Sequence, residues 1–195
     1  MSEYKKYFKQ VMSYFADRCE KTISKEGLKL EFKVIKKNLT FDEFQYASEK
    51  LVENYKYNTM PRPADFIEQV KDPDSKAIIA VDKVINAVRD FGHTATVYFD
   101  DPIIHLVIKN SYGGWDKLCG ELKENELKWF RKDFIKYYKA YNNKKINKIP
   151  ELSSNLDEPE EVFIGNKEKA KKVKKLSSKD VLNKEIKQLI GGKKW

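Results

Sequence analysis

The sequence is poor in the residues from which catalytic loops, metal sites and disulfide frameworks are built. It holds 8 glycines, 6 prolines, 2 cysteines and 2 histidines in 195 residues. No Gly-rich phosphate loop can be assembled from so few glycines, and the patterns HExxH, GxxxxGKS/T and GxSxG are absent. Cys19, His93, His105 and Cys119 are too widely spaced to give the close ligand pair of a structural zinc site, so no metal or cofactor is expected. The two distant cysteines exclude a disulfide scaffold and read as buried thiols. No apolar run approaches 18 residues, so no membrane span is expected. The opening MSEYKKYFKQVMSYF has neither a continuous apolar stretch nor a small-residue cleavage site, so no signal peptide is expected.

The remaining composition is aromatic and charged. Hydrophobic residues make up 41% and aromatics 13%, enough for a core despite 35% charged residues. The net charge of +9 is uneven: residues 1–143 carry 25 basic against 22 acidic side chains, and residues 144–195 carry 14 against 8. That division predicts a nearly neutral folded body with a basic arm.

Apolar spacing reads as helix through most of the body. Tyr4, Phe8, Val11, Met12, Phe15 and Cys19 step by threes and fours. Ser24 caps a second stripe of Leu28, Phe32, Ile35 and Leu39. Thr40 and Glu43 form a capping-box pattern ahead of Phe44, Ala47, Leu51 and Tyr55. Pro61-Arg62-Pro63 is a rigid extended elbow, expected to orient one helical body against the next, with Pro63 opening a short helix of Phe66, Ile67 and Val70.

After a break at 72–75, Ala77 to Phe91 gives the strongest stripe, stopped by Gly92. TATVYFDD (94–101) is β-branched and aromatic, a single extended segment. Asp101-Pro102 reads as a cap and first-turn proline for a helix of Ile103, Ile104, Val107 and Ile108. Gly113-Gly114 closes it, Trp115–Leu122 makes a short helix, and Leu127 to Tyr141 a last long one. The expected fold is mostly α: two small helical units of about four helices each, at 1–70 and 71–143, with one extended segment near 94–100. A mobile basic tail follows at 144–195, ending in a short helix at about 178–190.

Few side chains invite chemistry. Asp100, Asp101 and His105 could form an acid–base group, but nothing nearby in sequence would activate them. The simpler reading has Asp101 capping a helix, Asp100 ending the extended segment and His105 packed on a helix face. Gly113-Gly114-Trp115 reads as a tight turn with a tryptophan plugging the core, and Arg62 is the one residue of its turn that asks for a partner. No enzymatic activity is expected. The run KEKAKKVKK supplies Lys167, Lys169, Lys171, Lys172, Lys174 and Lys175, which neutralise phosphates without stacking on bases. A nonspecific nucleic-acid-binding module, helped by Lys5, Lys6, Lys36 and Lys37, is one functional reading. The other is a partner-docking helix with Val181, Leu182, Ile186, Leu189 and Ile190 on one face and Trp195 beyond.

Two stretches carry a resemblance. Residues 1–70, closing on MPRPADFIE, resemble the N-terminal helical unit of the phage helicase loader/inhibitor family. Residues 60–141, through MPRPADFIE, VYFDDPIIHLVI, GGWDKLC and WFRKDFIKYYKAY, are similar to an uncharacterised domain of phage and prophage proteins. The resemblance implies a replication accessory protein in the cytoplasm of a bacterial host cell. It would bind the hexameric replicative helicase, as loader or inhibitor, through its flexible C-terminal segment, with DNA a further partner. The chain departs from the loader pattern by the whole 71–143 region.

Overall fold

The computed structural model describes residues 2–142 and 148–177. The protein is mostly helical and divides into two compact units, residues 1–76 and 77–195. In the first unit, α1 (Glu3–Arg18), α2 (Lys25–Asn38), α3 (Phe41–Asn54) and the short α4 (Pro63–Glu68) surround an aromatic core. Phe8, Phe15, Phe44 and Phe66 are almost wholly buried. Their rings meet at tilted or edge-on angles, with centroids 5.2 Å apart for Phe44 and Phe66 and 6.3 Å for Phe15 and Phe66, the geometry that adds about 0.5–1.5 kcal/mol per pair to simple burial.

The local signals act where the sequence places them. The Ser24 hydroxyl accepts from the Gly27 N–H at 3.0 Å, and Thr40 and Glu43 close a reciprocal capping box. The proline elbow does not separate two bodies. Pro61 is buried, Pro63 is the first residue of α4, and Phe66 and Val70 beyond it pack into the same core as α1 and α3. The Asp65 carboxylate accepts from the Arg62 N–H at 2.7 Å, so the elbow is a helix start within one unit.

The second unit is built on α5 (Pro73–Phe91), which begins in the last residues of the first unit, followed by β1 (Ala95–Phe99), α6 (Pro102–Tyr112), α7 (Trp115–Glu121) and α8 (Leu127–Asn142). Gly92 takes a positive φ of 54° where α5 ends. Gly113 does so at the end of α6, with φ 80° and its N–H on the Ile108 carbonyl. Trp115 plugs the core, 1% exposed, and its indole N–H reaches the Gly92 carbonyl at 2.9 Å.

Residues 148–177, expected to belong to a mobile arm that starts at 144, are part of the second unit, and the short helix expected at about 178–190 lies outside the described residues. Glu160–Ile164 is a strand, β2, paired in parallel with β1 in the register Val97↔Val162. Lys167–Ser177 is a helix, α9, packed on both strands. Ile149 and Leu152 have no exposure, and Leu152 bridges Val97 at the opposite edge of β1. Every residue of β1 is buried, as in a parallel strand covered on both faces. The extended segment near 94–100 therefore forms a two-stranded sheet with a strand the sequence pattern hides. No helix among the described residues is long and apolar enough to cross a membrane.

Candidate functional site

The polar side chains that sequence reading singled out gather at the carboxyl ends of the two strands. Phe99 lies opposite Ile164 in the register, so Asp100-Asp101 and Gly165-Asn166 leave the sheet side by side. The Asp100 N–H donates to the Ile164 carbonyl at 3.0 Å. Its carboxylate accepts from Lys83 Nζ on α5 at 2.9 Å and from the Asn166 N–H at 2.8 Å. Both charged partners are buried, Lys83 9% and Asp100 6% exposed. Removing one partner from such a pair costs about 3–5 kcal/mol, because the other charge is left in a medium that solvates it poorly. The carboxylate fills the space over Gly165, whose φ is 81°; a Cβ there would collide with it.

Asp101 is the cap of α6. One oxygen accepts from the Ile103 N–H at 2.9 Å and the other from the Tyr138 hydroxyl on α8. Burial holds its carboxyl above the usual carboxylate range, opposed by these two hydrogen bonds. His105 has no exposure. Its Nε2 accepts from the Phe99 N–H at 3.0 Å, which places the proton on Nδ1 and directs it to the Pro150 carbonyl, also at 3.0 Å. Burial lowers its pKa to about 4, so the ring is neutral at pH 7. Asp100, Asp101 and His105 thus serve as a joint: they tie α5, the strand ends, α6, α8 and the 149–154 segment together. Ser154 completes that stitching, its N–H on Thr96 Oγ1 at 3.1 Å and its hydroxyl on the His93 carbonyl at 2.6 Å. Among the described residues no group of three or more His, Cys, Asp or Glu is placed to hold a metal ion.

The basic run is a helix with two different faces. Ala170 and Val173 are wholly buried against the sheet. Lys174 leans on the same side, its ammonium bonded to Glu161 and 5.3 Å from the centre of the Tyr98 ring. Lys167, Lys169, Lys171, Lys172 and Lys175 are exposed. At 100° per residue, Lys167, Lys171 and Lys175 form one row and Lys172 lies beside it, opposite the buried stripe. Glu168 is the one acidic residue of this helix and pairs with Lys171 at 3.6 Å. The Asn166 side chain caps α9, accepting from the Lys169 N–H at 3.1 Å, and Asp100 holds the Asn166 N–H. The joint described above therefore fixes the lysine helix in place.

Of the residues expected to contact partners, five of the six lysines in the run face outward and Lys174 does not. Val181, Leu182, Ile186, Leu189, Ile190 and Trp195 lie outside the described residues. Sequence reading missed Lys83, Gly165 and Asn166. The trace was present in Val162-Phe163-Ile164 followed by Gly-Asn, a short apolar strand, a left-handed turn and a cap. In the first unit a shallow cleft opens between Tyr46, Lys50, Glu68, Lys71 and Asp72, but its polar groups pair with one another: Tyr46 with Ser75 at 3.1 Å, Ser75 with Asp72, and Lys71 with Glu68.

No curated protein and no solved structure matches this chain. Residues 97–177 match the family model of a domain of unknown function, DUF6475, a similarity that runs from within β1 to the last residue of α9.

Proposed function

We propose that the chain is a nonspecific nucleic-acid-binding module with α9 as a contact surface. The observation that carries this reading is the outward row of Lys167, Lys171 and Lys175, with Lys172 beside it, on a helix anchored by Ala170, Val173 and the Asp100–Asn166 bond. Lysines on an anchored helix lose less conformational freedom on meeting a phosphate backbone than lysines on a loose tail. The net charge of +9 supports the attraction at longer range.

The test is fluorescence anisotropy with a labelled duplex over 50–200 mM salt. Four phosphate contacts predict a log–log salt slope of about −3.6 for duplex DNA. Replacing Lys167, Lys171 and Lys172 together by Gln should flatten that slope by about 2.7 while leaving the fold intact. No binding at the lowest salt, or an unchanged slope in the triple variant, overturns the reading.

The helicase adaptor is a second proposal, supported by the loader-like layout of the sequence, and its anchor is the 181–195 segment. The structure decides how it must be tested: the comparison is full length against 1–177, because a cut at 149 removes β2 and α9 from the second unit. Retention of the hexameric helicase by 1–177 in a nuclease-treated pull-down would sink the adaptor reading.

A further inference from the structure

The solvent face of α8 has a composition that its packing does not explain. Phe130, Phe134 and Tyr138 point into the core. On the other side Trp129 is 64% exposed, the most exposed tryptophan among the described residues. Lys128, Lys132 and Lys136 stand beside it, all exposed and each one helical step of four from the next. Residues four apart lie about 6 Å apart along the axis on nearly the same face. Lys132 Nζ sits 5.7 Å from the centre of the Trp129 ring. At the helical period Asp133 and Tyr137 fall on the other flank of position 129, so the lysines lie on one side only.

We infer that this face of α8 is a stacking platform for single-stranded nucleic acid, with Trp129 taking a base and Lys128, Lys132 and Lys136 the backbone. The inference rests on the nucleic-acid reading and adds to the α9 surface a second one that is specific to unpaired strands. An indole on the convex surface of a helix reaches a base only if the base face is free, and in a duplex the faces are already stacked. The row of cations supplies the charge complementarity that a bare aromatic patch lacks. At 64% exposure the indole adds little to the core, and every nucleobase offers it a π-face of the right size.

The full-length chain and Trp129→Ala, Trp129→Phe and Lys132→Gln/Lys136→Gln variants would be titrated with labelled oligo-dT, with a labelled duplex and with anionic phosphatidylserine vesicles. Trp129→Ala should weaken oligo-dT binding about 5- to 150-fold at every salt concentration, since stacking is independent of counterions. Trp129→Phe should recover most of the loss, and duplex affinity should not move. The double lysine variant should instead flatten the oligo-dT salt slope by about 1.4. Trp129 is a surface residue and alanine is a strong helix former, so circular dichroism of the alanine variant should match the parent. Oligo-dT affinity unchanged in Trp129→Ala, with duplex binding intact, overturns the platform and leaves α9 as the contact. Loss of all nucleic-acid binding in the parent overturns both readings. A Trp129-dependent response to vesicles, with none to oligo-dT, assigns the face to lipid and overturns the inference.

Discussion

Cutting the chain after residue 149 should unfold the second unit, whereas cutting after 177 should leave it folded. The shorter fragment loses Leu152, Ala170 and Val173, which have no solvent exposure, and Val162, Ile164 and Leu176, which pack against the core from its margin. Fully burying a valine or leucine is worth about 1.5–3 kcal/mol, so this deletion removes about 5–10 kcal/mol of burial. It also strips β1 of its partner strand, leaving Val97 and Phe99 against water, and takes from the Asp100 carboxylate the Asn166 N–H. Since a domain of this kind is stable by about 5–15 kcal/mol in total, the loss is of the same size as the whole. The assay is urea unfolding of 1–149, 1–177 and full length, followed by near-ultraviolet circular dichroism, where buried Trp115 reports on the second unit. The reasoning is refuted if 1–149 keeps the tertiary signal and the unfolding midpoint of the full-length chain.

Two further outcomes follow from the joint at the strand ends. Gly165→Ala forces a side chain into a left-handed backbone and against the Asp100 carboxylate, and should lower stability by about 2 kcal/mol or more, read as a fall in urea midpoint; a midpoint within error of the parent contradicts the geometry. His105 gives a pH dependence of definite sign. Its pKa falls from 6.5 to about 4 on folding, so the unfolded chain takes up the proton first as pH drops. Its contribution is complete above pH 6.5 and is lost as pH falls toward 4, about 3 kcal/mol in all, with little further change below. His105→Gln should abolish that slope in a pH series of urea titrations, and a slope that persists would place its origin elsewhere.

The helices were legible because their signals are local. A stripe such as Phe8, Val11, Met12 and Phe15, or Phe130, Phe134 and Tyr138, repeats at the helical period, and the caps at Ser24, Thr40 and Asp101 sit within three residues of the amides they serve. The candidate site was legible only in pieces. Asp101 read correctly as the cap of α6 and His105 as a packed side chain, yet their further partners, Tyr138 and Pro150, lie 37 and 45 residues away. β2 begins Glu160-Glu161 and has no two-residue alternation, so charge masks a strand that forms only because β1 is there to pair with it. KEKAKKVKK has two apolar residues in nine, too few to show a helical period, but both are small enough to seat the helix on the sheet. The proline elbow misled because fixed geometry announces a change of direction without saying whether the chain then leaves the core or returns to it.

The parallel pairing of β1 with β2 also sets an order of events during synthesis. Val97 must wait for Val162, 65 residues later in the chain. At about 5–20 residues per second that is several seconds of translation. Until Leu152 is made both edges of the ATVYF segment are open, and until Val162 follows one of them still is, the form most prone to pair with a neighbouring chain. A ribosome that pauses between 100 and 160 on this message holds an aggregation-prone nascent chain, so codon choice in that window bears on yield in a way that no substitution in the finished protein would reveal.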